Sequence, residues 1–318
     1  MAQSCSWSPI EGGITAPSGF QAAGITAGLK ESGKPDLALL LAPQDAVCAG
    51  TFTTSSVRAA CVDLCAERLQ VSKGQCRAVL VNSGQANACT GDRGLIDSRR
   101  ATQALADRLG VSVDQVLICS TGVIGVPIPM RLLLAGLDQL VDALDSGGSA
   151  AAAAAILTTD LVEKQIALEA DIEGRRVRIG GMAKGSGMIH PDMATMLGFL
   201  SCDAGIPVDV WQAMVRRAVR RSFNAITVDG DTSTNDSFLA FAAGEPLPVD
   251  HFELIEQGVT LVSQHLGRSI ARDGEGATCL IEVVVEGAAS ESDAQRMART
   301  VCGLSLIHIS EPTRRQQI

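Results

Sequence analysis

Residues 180–197 read GGMAKGSGMIHPDMATML, and residues 180–187 are the most glycine-rich part of the chain. Four glycines in eight residues allow unusual backbone angles and close backbone contacts. A Walker phosphate loop requires Ser or Thr after a Gly-Lys pair, and this segment has none. A dinucleotide-binding fingerprint requires a third glycine where His190 stands. The segment therefore argues against a nucleotide site, and its simplest interpretation is the tight end of a hairpin.

Thr195 follows this segment, in the apolar run at residues 193–197. By composition alone it is a buried threonine in a strand. The functional alternative is an N-terminal nucleophile made by self-cleavage, in which the hydroxyl attacks the preceding carbonyl and water then releases a new α-amine. With a pKa of about 7.7–8.0, that amine could act as the general base for the hydroxyl. The small Ala194 leaves room for the turn that this shift requires.

The remaining apolar patterns alternate between strand and helix, which predicts an α/β fold. The predicted strands are Leu37–Leu41, Ala78–Val81, Val116–Cys119, Thr278–Val285 and a hairpin of Ile166–Ala170 with Val177–Ile179 around Glu173-Gly174. The predicted helices are Asp97–Leu109, Leu132–Leu144, Asp209–Val219 and Phe252–Leu266, with Asp97 and Asp209 as N-caps.

Composition excludes several classes of protein. Lys and Arg number 26 against 35 Asp and Glu, a net charge of −9 that argues against a nucleic-acid backbone binder. Aromatic residues make up only 3%, too few for a platform that stacks single-stranded bases. No apolar run approaches the ~18 residues of a membrane span.

Cysteine and histidine usage predicts a cytoplasmic protein without a metal site. The ten cysteines are scattered and form no C-x-x-C pair, which is typical of reduced thiols. No two of the four histidines have the spacing of metal ligands. The first residues also lack the basic and apolar regions of a secretory signal.

Two further segments place polar groups beside predicted strands. Ser120–Gly125 is either an ordinary turn or a pair of oxyanion donors, the Thr121 hydroxyl and the Gly122 N–H. Glu275, flanked by glycines, is either a solvated turn residue or a carboxylate that binds a substrate amine.

The acidic segment Asp229–Asp236 begins like a calcium loop. Thr234 stands at position six, where an EF-hand needs Gly, and Ala240 stands at position twelve, where it needs Glu. This excludes an EF-hand and predicts instead a loop made rigid by hydrogen bonds to its own backbone.

Together these segments resemble the glutamate N-acetyltransferase (ornithine acetyltransferase) family, which cleaves itself before the Thr of a Met-Ala-Thr-Met-Leu motif. That motif stands at residues 193–197. The other matches follow in the expected order: Gly12–Gly24 (GGITAPSGFQAAG), Asn82–Gly91 (NSGQANACTG), Ser120–Gly125 (STGVIG), Thr158-Thr159-Asp160, Ser222–Asp236 (SFNAITVDGDTSTND) and Asp273–Thr278 (DGEGAT). They span nearly everything from Gly12 to about Cys302.

The resemblance implies layered mixed sheets and helices of the ornithine acetyltransferase/DmpA-like type. It also implies an α chain of residues 1–194 and a β chain that begins at Thr195 and runs through residues 195–303. Residues 304–318 match nothing in the family, and we expect them to be an artefact that replaces a longer native C-terminal part. The family usually has Lys where Cys279 stands, so one charge is missing near the site.

Roles for individual residues follow from the same resemblance. Thr195 would carry the acetyl group, and Thr121 with Gly122 would form the oxyanion hole. Thr158, Lys184, Glu275 and Thr195 itself would bind substrate, with the choice between Thr158 and Thr159 left open. A lysine suits the carboxylate of an amino acid, and a glutamate suits its ammonium group.

The implied reaction is a ping-pong transfer in which N2-acetylornithine acetylates Thr195, ornithine leaves, and glutamate accepts the acetyl group. No cofactor is expected, although some family members also take acetyl from acetyl-CoA. The two fragments would stay associated as an α2β2 heterotetramer in the cytoplasm, without nucleic-acid or membrane partners.

Two alternatives lead to different expectations. An N-terminal-nucleophile aminopeptidase or amidase would use the same nucleophile but pass the acyl group to water. A non-catalytic small-molecule binding protein would keep Thr195 as a core residue and would not be cleaved.

Overall fold

Two β-sheets stack face to face at the centre of the molecule and carry helices on their outer sides. The computed structural model describes residues 6–190 and 196–304. The strands of this part are β1 Ser8–Ile10, β2 Gln21–Ile25, β3 Leu37–Leu41, β4 Val47–Phe52, β5 Ala78–Gln85, β6 Val116–Val123, β7 Lys164–Ile172, β8 Arg175–Lys184, β9 Leu197–Cys202 and β10 Ser237–Ala242. The helices are α1 Ala60–Val71, α2 Gly91–Leu109, α3 Met130–Asp142, α4 Ser149–Ala155, α5 Val208–Arg220, α6 Phe252–Arg272 and α7 Glu291–Cys302.

The larger sheet has the strand order β1-β7-β8-β9-β10-β4, and the smaller sheet has the order β2-β3-β5-β6. Each sheet contains one parallel pair, β9 with β10 in the larger sheet and β5 with β6 in the smaller one. The other pairs are antiparallel. Both sheets are therefore mixed, as the family resemblance implies.

Successive residues of the central strands pack into two different cores, one on each face of the sheet. In β10, Phe238 and Ala240 belong to the core beneath α5 and α6, whereas Leu239 and Phe241 belong to the core between the sheets. Because successive side chains of a strand point to opposite faces, a strand with two apolar faces must be covered on both. Strand β5 follows the same rule towards α1, α2 and α3. The order of layers is helices, smaller sheet, larger sheet, helices.

Helix α5 shows why the outer layers form. Trp211, Met214, Val215, Ala218 and Val219 recur at helical spacing, and all five are buried against the larger sheet. A helix with one apolar stripe must bury that stripe against another element. A hydrogen bond also fixes the rotation of α5 about its axis. The indole N–H of Trp211 donates to the carbonyl of Ala240 in β10 at 2.8 Å.

Several predicted elements are confirmed. Strand β3 has the predicted bounds Leu37–Leu41, and β7 with β8 forms the predicted hairpin. Its turn lies at Glu173 and Gly174, which both have positive φ angles, as a two-residue hairpin turn requires. The four predicted helices are present as α2, α3, α5 and α6.

Some predicted boundaries are wrong. Helix α2 begins at Gly91, so Asp97 lies inside the helix and is not its N-cap. Pro207 occupies the N-cap position of α5, and Asp209 lies in the first turn, where a negative charge complements the helix dipole. Helix α6 continues to Arg272, six residues past its predicted end.

The predicted strands Ala78–Val81 and Val116–Cys119 end too early, because residues 82–84 and 120–122 also belong to β5 and β6. Asn82 pairs with Ser120, and Gly84 pairs with Gly122, so the β5–β6 ladder continues through both polar segments. A strand ends where its backbone N–H and C=O groups no longer have hydrogen-bond partners, whatever its side chains are. Here the backbone groups of β5 and β6 pair with each other, so both strands continue through their polar residues.

The predicted strand Thr278–Val285 is wrong, because this segment is irregular. Its apolar pattern is that of a strand, but no described strand forms a β-ladder with it, and Val284 is 73% exposed. The segment forms one wall of a cavity of about 860 Å³, which also contacts Ile226, α7 and Glu275. In the described part of the chain, no helix is long and apolar enough to cross a membrane.

The core between the sheets gives a test of this architecture. Phe199 in β9 is fully buried there, so we expect Phe199→Ala to lower the free energy of unfolding by about 3–5 kcal/mol. Leu261 on α6 is 47% exposed, and Leu261→Ala should change it by less than about 1 kcal/mol. Urea unfolding followed by circular dichroism measures both, and equal effects would contradict the burial of Phe199.

Candidate active site

The two predicted oxyanion residues lie at the end of β6. Thr121 is buried, and Gly122 is exposed at the rim of the sheet. Gly122 has a φ of +127°, and a Cβ at this position would collide with the backbone of its neighbour Gly84. Only glycine is compatible with both the angle and the approach. The sequence therefore brings an exposed backbone segment next to a buried hydroxyl residue.

Buried amides and hydroxyls hold the ends of β5 and β6 in place. The Ser120 hydroxyl donates to the Asn82 side chain at 2.6 Å, and the Asn82 amide donates to the carbonyl of Gln85 at 2.9 Å. The Gln85 amide in turn donates to the carbonyl of Leu29 at 2.8 Å. Since buried polar groups are costly unless they are paired, this chain of bonds fixes the rim on which Gly122 stands.

Lys184 and Thr158 are in direct contact. Lys184 is the last residue of β8 and is 3% exposed, and its ammonium donates to the Thr158 hydroxyl at 2.7 Å. The hydroxyl of Thr159 instead lies 2.7 Å from that of Ser186. Lys184 therefore contacts Thr158 and not Thr159. This favours Thr158 over Thr159 as the threonine that would bind the substrate together with Lys184.

The carboxylate of Asp160 binds the residues around Lys184 and Thr158. Its Oδ1 accepts from the Lys164 ammonium at 2.8 Å and from the Gly185 N–H at 2.6 Å. Its Oδ2 accepts from the Thr158 N–H at 3.1 Å and lies 3.5 Å from the Lys184 ammonium. The Asp160 side chain is fully buried. One carboxylate therefore sets the positions of the predicted threonine, the predicted lysine and the start of the glycine-rich segment.

The charged side chains of Asp160, Lys164 and Lys184 lie close enough to shift the pKa values of Asp160 and Lys184. Burial would raise the pKa of Asp160, but the charges of Lys184 and Lys164 and hydrogen bonds from Lys164 and Gly185 lower it to about 2. Burial lowers the pKa of Lys184, and Asp160 opposes that shift. Asp160 thus remains ionised at neutral pH, because the two ammonium groups and the backbone N–H compensate for its lost hydration.

Glu275 joins the group through the loop that carries it. Lys164 also donates to Asp273 at 2.6 Å, which fixes the start of the loop 273–278. The N–H of Glu275 donates to the carbonyl of Ser186 at 2.7 Å, and its carboxylate carbon would lie 2.6 Å from a Cβ placed on Gly187. Glu275 is exposed, so its carboxylate is open to a ligand beside the glycine-rich segment.

Contacts from the smaller sheet reach the same group. Ser83, the β5 partner of Thr121, donates through its hydroxyl to the carbonyl of Ala155 at 2.5 Å, three residues before Thr158. Lys30 donates to the carbonyl of Leu157 at 2.7 Å. Burial lowers the pKa of Lys30 to about 8, and the charge of Lys184 adds to that effect.

The predicted nucleophile Thr195 and its neighbour Ala194 lie outside the described residues. Their chain continues at Met196, whose N–H donates to Asp236 Oδ1 at 2.9 Å, and at Leu197, which lies opposite Lys184 in the β8–β9 ladder. The described residues that follow the predicted cleavage point therefore lie beside Lys184.

Sequence reasoning did not single out Asp160, Lys164, Lys30 or Asp236. Asp160 and Asp236 both stand inside quoted motifs, but an aspartate in a loop gives no sign of burial. Lys164 and Lys30 stand in no quoted motif. His190, whose imidazole Nδ1 lies 3.3 Å from the Thr227 hydroxyl, has no contact with the predicted site residues among the described hydrogen bonds.

Comparison with known proteins identifies the family of this chain. Residues 21–310 match the sequence pattern of the ArgJ family. The chain belongs to the ArgJ family. It is 72% identical over 301 residues to the arginine biosynthesis bifunctional protein ArgJ of Parasynechococcus marenigrum (strain WH8102), covering 95% of this chain and 74% of that protein. It is 71% identical to the protein of the same name from Prochlorococcus marinus (strain MIT 9313), covering 95% and 70%. The predicted family and its acetyltransferase activity in arginine biosynthesis are confirmed.

Solved structures confirm the predicted fold of this ArgJ chain. An ornithine acetyltransferase from Mycobacterium tuberculosis, solved in complex with ornithine, is 41% identical with a TM-score of 0.54, covering 58% of this chain and 98% of that chain. An ArgJ protein from Bacillus halodurans is 36% identical with a TM-score of 0.55, covering 61% and 100%. An L-aminopeptidase/D-Ala-esterase/amidase from Ochrobactrum anthropi, at 13% identity and a TM-score of 0.52 over 83% and 86%, shares the fold alone.

The buried group around Asp160 predicts a specific response to acid. The pKa of Asp160 is depressed in the folded protein, so the stability it contributes is present above about pH 4 and is lost as the pH falls towards about 2. The shift corresponds to roughly 2 kcal/mol. In Asp160→Asn, we expect the free energy of unfolding at pH 7 to fall by about 3 kcal/mol and this acid-dependent loss to be absent.

Asp138 provides the matched control, because it pairs with Arg108 at 2.5 Å but is 74% exposed. Asp138→Asn should change the free energy of unfolding far less than Asp160→Asn does, because solvent screens an exposed ion pair. Denaturant unfolding between pH 2 and pH 7 measures both variants. An Asp160→Asn variant as stable as the parent at pH 7 would contradict the described network.

Proposed function

We propose that the chain transfers an acetyl group from N2-acetylornithine to glutamate through an acetyl ester on Thr195. The observation that carries this proposal is the contact of Lys184 with Thr158, because Lys184 lies opposite Leu197, two residues after Thr195 in the chain. Glu275 lies beside the glycine-rich segment that contains Lys184, since its N–H donates to the carbonyl of Ser186. A cation, a hydroxyl and an exposed carboxylate grouped in this way are suited to an amino-acid substrate.

Self-cleavage between Ala194 and Thr195 would prepare the nucleophile. The Thr195 hydroxyl adds to the Ala194 carbonyl, the peptide becomes an ester, and water hydrolyses the ester to leave a free α-amine on Thr195. That amine then takes the hydroxyl proton during catalysis. In the first half-reaction, the Thr195 oxygen attacks the acetyl carbonyl and ornithine leaves as the amine with that proton.

The second half-reaction reverses these steps with glutamate. Its amine attacks the acetyl ester, and the Thr195 oxygen leaves and regains a proton. In both halves the negative charge that develops on the acetyl oxygen would be stabilised by the Thr121 hydroxyl and the Gly122 backbone. The exposure of Gly122 at the rim of the sheet supports this role.

The order of strands supports stable association of the two fragments after cleavage. In the larger sheet, β9 and β10 of the second fragment lie between β8 and β4 of the first. Cleavage before β9 would therefore leave hydrogen-bonded neighbours on both sides of the inserted pair. We propose that these fragments assemble further into an α2β2 heterotetramer.

The small-molecule chemistry proposed here requires no cofactor, because Thr195 itself carries the acetyl group. Acetyl-CoA as a second donor stays a prediction. Cytoplasmic localisation is likewise part of the proposal. Six cysteines of the described residues are buried free thiols, which supports it: Cys48, Cys61, Cys65, Cys76, Cys119 and Cys202.

Acceptor dependence tests the proposed reaction. The purified protein, incubated with N2-acetylornithine, should release ornithine continuously only when glutamate is present, and N-acetylglutamate should form in equal amount. A hydrolase would release free acetate without glutamate, and this result would overturn the proposal. Thr195→Ala should show one uncleaved band on a denaturing gel and no transfer, whereas retained transfer would refute Thr195 as nucleophile.

The two threonines next to Asp160 give a second test. Thr158→Val removes the hydroxyl that contacts Lys184, and we expect the KM for glutamate to rise about tenfold, as for one lost hydrogen bond to a charged group. Thr159→Val removes a hydroxyl that contacts Ser186 and should change KM less than threefold. Steady-state kinetics distinguishes them, and the reverse order would assign substrate binding to Thr159.

A further inference from the structure

Asn235 and Asp236 form a buried polar pair that the proposed chemistry does not use. They end the acidic segment Asp229–Asp236 and directly precede β10. Asp236 is fully buried, and Asn235 is 6% exposed. Two adjacent buried polar side chains need partners, and theirs lie just before β9 of the larger sheet and in β6 of the smaller sheet.

Asp236 holds the chain directly after Thr195. Its Oδ1 accepts from the Met196 N–H at 2.9 Å, and the N–H of the next residue, Ser237, donates to the Met196 carbonyl at 3.2 Å. Both backbone groups of Met196 are therefore bound to the Asp236-Ser237 dipeptide. Because the Met196 nitrogen is joined covalently to Thr195, these bonds restrain the nucleophile's own peptide group.

Asn235 holds the strand that carries the predicted oxyanion hole. Its amide donates to the Ser120 carbonyl at 2.8 Å and to the Ala86 carbonyl at 2.5 Å. The Ser120 carbonyl belongs to the peptide group that continues into Thr121. Consecutive residues thus bind the chain next to the nucleophile in one sheet and the chain next to the oxyanion donors in the other.

The second carboxylate oxygen of Asp236 accepts no hydrogen bond from the described residues. Burial raises the pKa of this carboxyl well above its ordinary value. A fold that needed only a cap for the Met196 N–H could use a hydroxyl or an amide here. A buried carboxyl that keeps one oxygen unpaired among the described residues, beside the chain that follows Thr195, is more typical of a functional position than of a stabilising one.

We propose that Asn235 and Asp236 are a positioning pair that fixes the distance between Thr195 and the oxyanion donors Thr121 and Gly122. This inference rests on the proposed function, since it needs Thr195 as nucleophile. Neither residue acts on the substrate. They act through the backbone of Met196 and Ser120, and a displacement of about 1 Å between nucleophile and oxyanion hole is enough to slow a reaction roughly 100-fold.

Variants at Asp236 test the proposal through kcat and KM, with kcat expressed per cleaved molecule. Asp236→Ala should lower kcat for acetyl transfer roughly 100-fold and change the KM for N2-acetylornithine less than threefold. Asp236→Asn keeps an oxygen that accepts from Met196 and should restore kcat to within about fivefold of the parent. If Asp236→Ala does not fold, Asp236→Glu, which moves the carboxyl by one methylene, should show the same selective loss of kcat.

Val259→Ala is the control for a general loss of stability. Val259 is fully buried in α6 and packs on the face of the larger sheet that points away from the smaller sheet. It should destabilise the protein and leave kcat of the folded fraction unchanged. Equal losses of kcat in Val259→Ala and Asp236→Ala would overturn the proposal. So would an Asp236→Asn variant as slow as Asp236→Ala, or an Asp236→Glu variant as fast as the parent.

A double-mutant cycle tests whether the two residues act as one unit. If they set a single distance, Asn235→Ala combined with Asp236→Ala should be about as slow as the slower single variant. Losses that multiply would contradict a joint role. A parent protein without glutamate-dependent transfer would refute the proposed function itself, whereas active parent and unaffected variants would refute only this inference.

Discussion

The interaction on which the site depends is the buried carboxylate of Asp160 between two lysines. It binds Lys164 and the backbone of Thr158 and Gly185, and it lies 3.5 Å from Lys184. A buried ion group is weak as a source of stability, because desolvation offsets much of its Coulomb energy. Its value here is geometric, since one rigid carboxylate fixes a cation, a hydroxyl and the start of the glycine-rich segment.

The two sheets contribute different parts of the proposed reaction centre. The smaller sheet supplies the rim with Thr121 and Gly122, and the larger sheet supplies Lys184 and the strand that follows Thr195. The apolar core between the sheets makes their relative position rigid, because protein interiors are close-packed. Under the proposed cleavage before β9, sheet pairing and core packing would hold β9 from both sides and keep this arrangement.

Local patterns in the sequence predicted much of the fold and some of the site. The hairpin of β7 and β8 and helices α2, α3, α5 and α6 could be predicted because turn residues and helical spacing act locally. The ends of β5 and β6 could not, since a polar segment such as Asn82–Gly84 remains in a strand only when a distant strand pairs with it. Motifs singled out Lys184 and Glu275, but the role of Asp160 depends on Lys184 and Gly185, which are more than 20 positions away in the chain.

Mass spectrometry of the enzyme mixed with N2-acetylornithine in the absence of glutamate tests the central claim most directly. With no acceptor present, the first half-reaction should stop at the acyl-enzyme, and the fragment that begins at Thr195 should gain the mass of one acetyl group. Peptide mapping should place that group on the Thr195 side chain, and added glutamate should remove it. Transfer that proceeds without any such adduct, or with the adduct on another residue, would contradict the account.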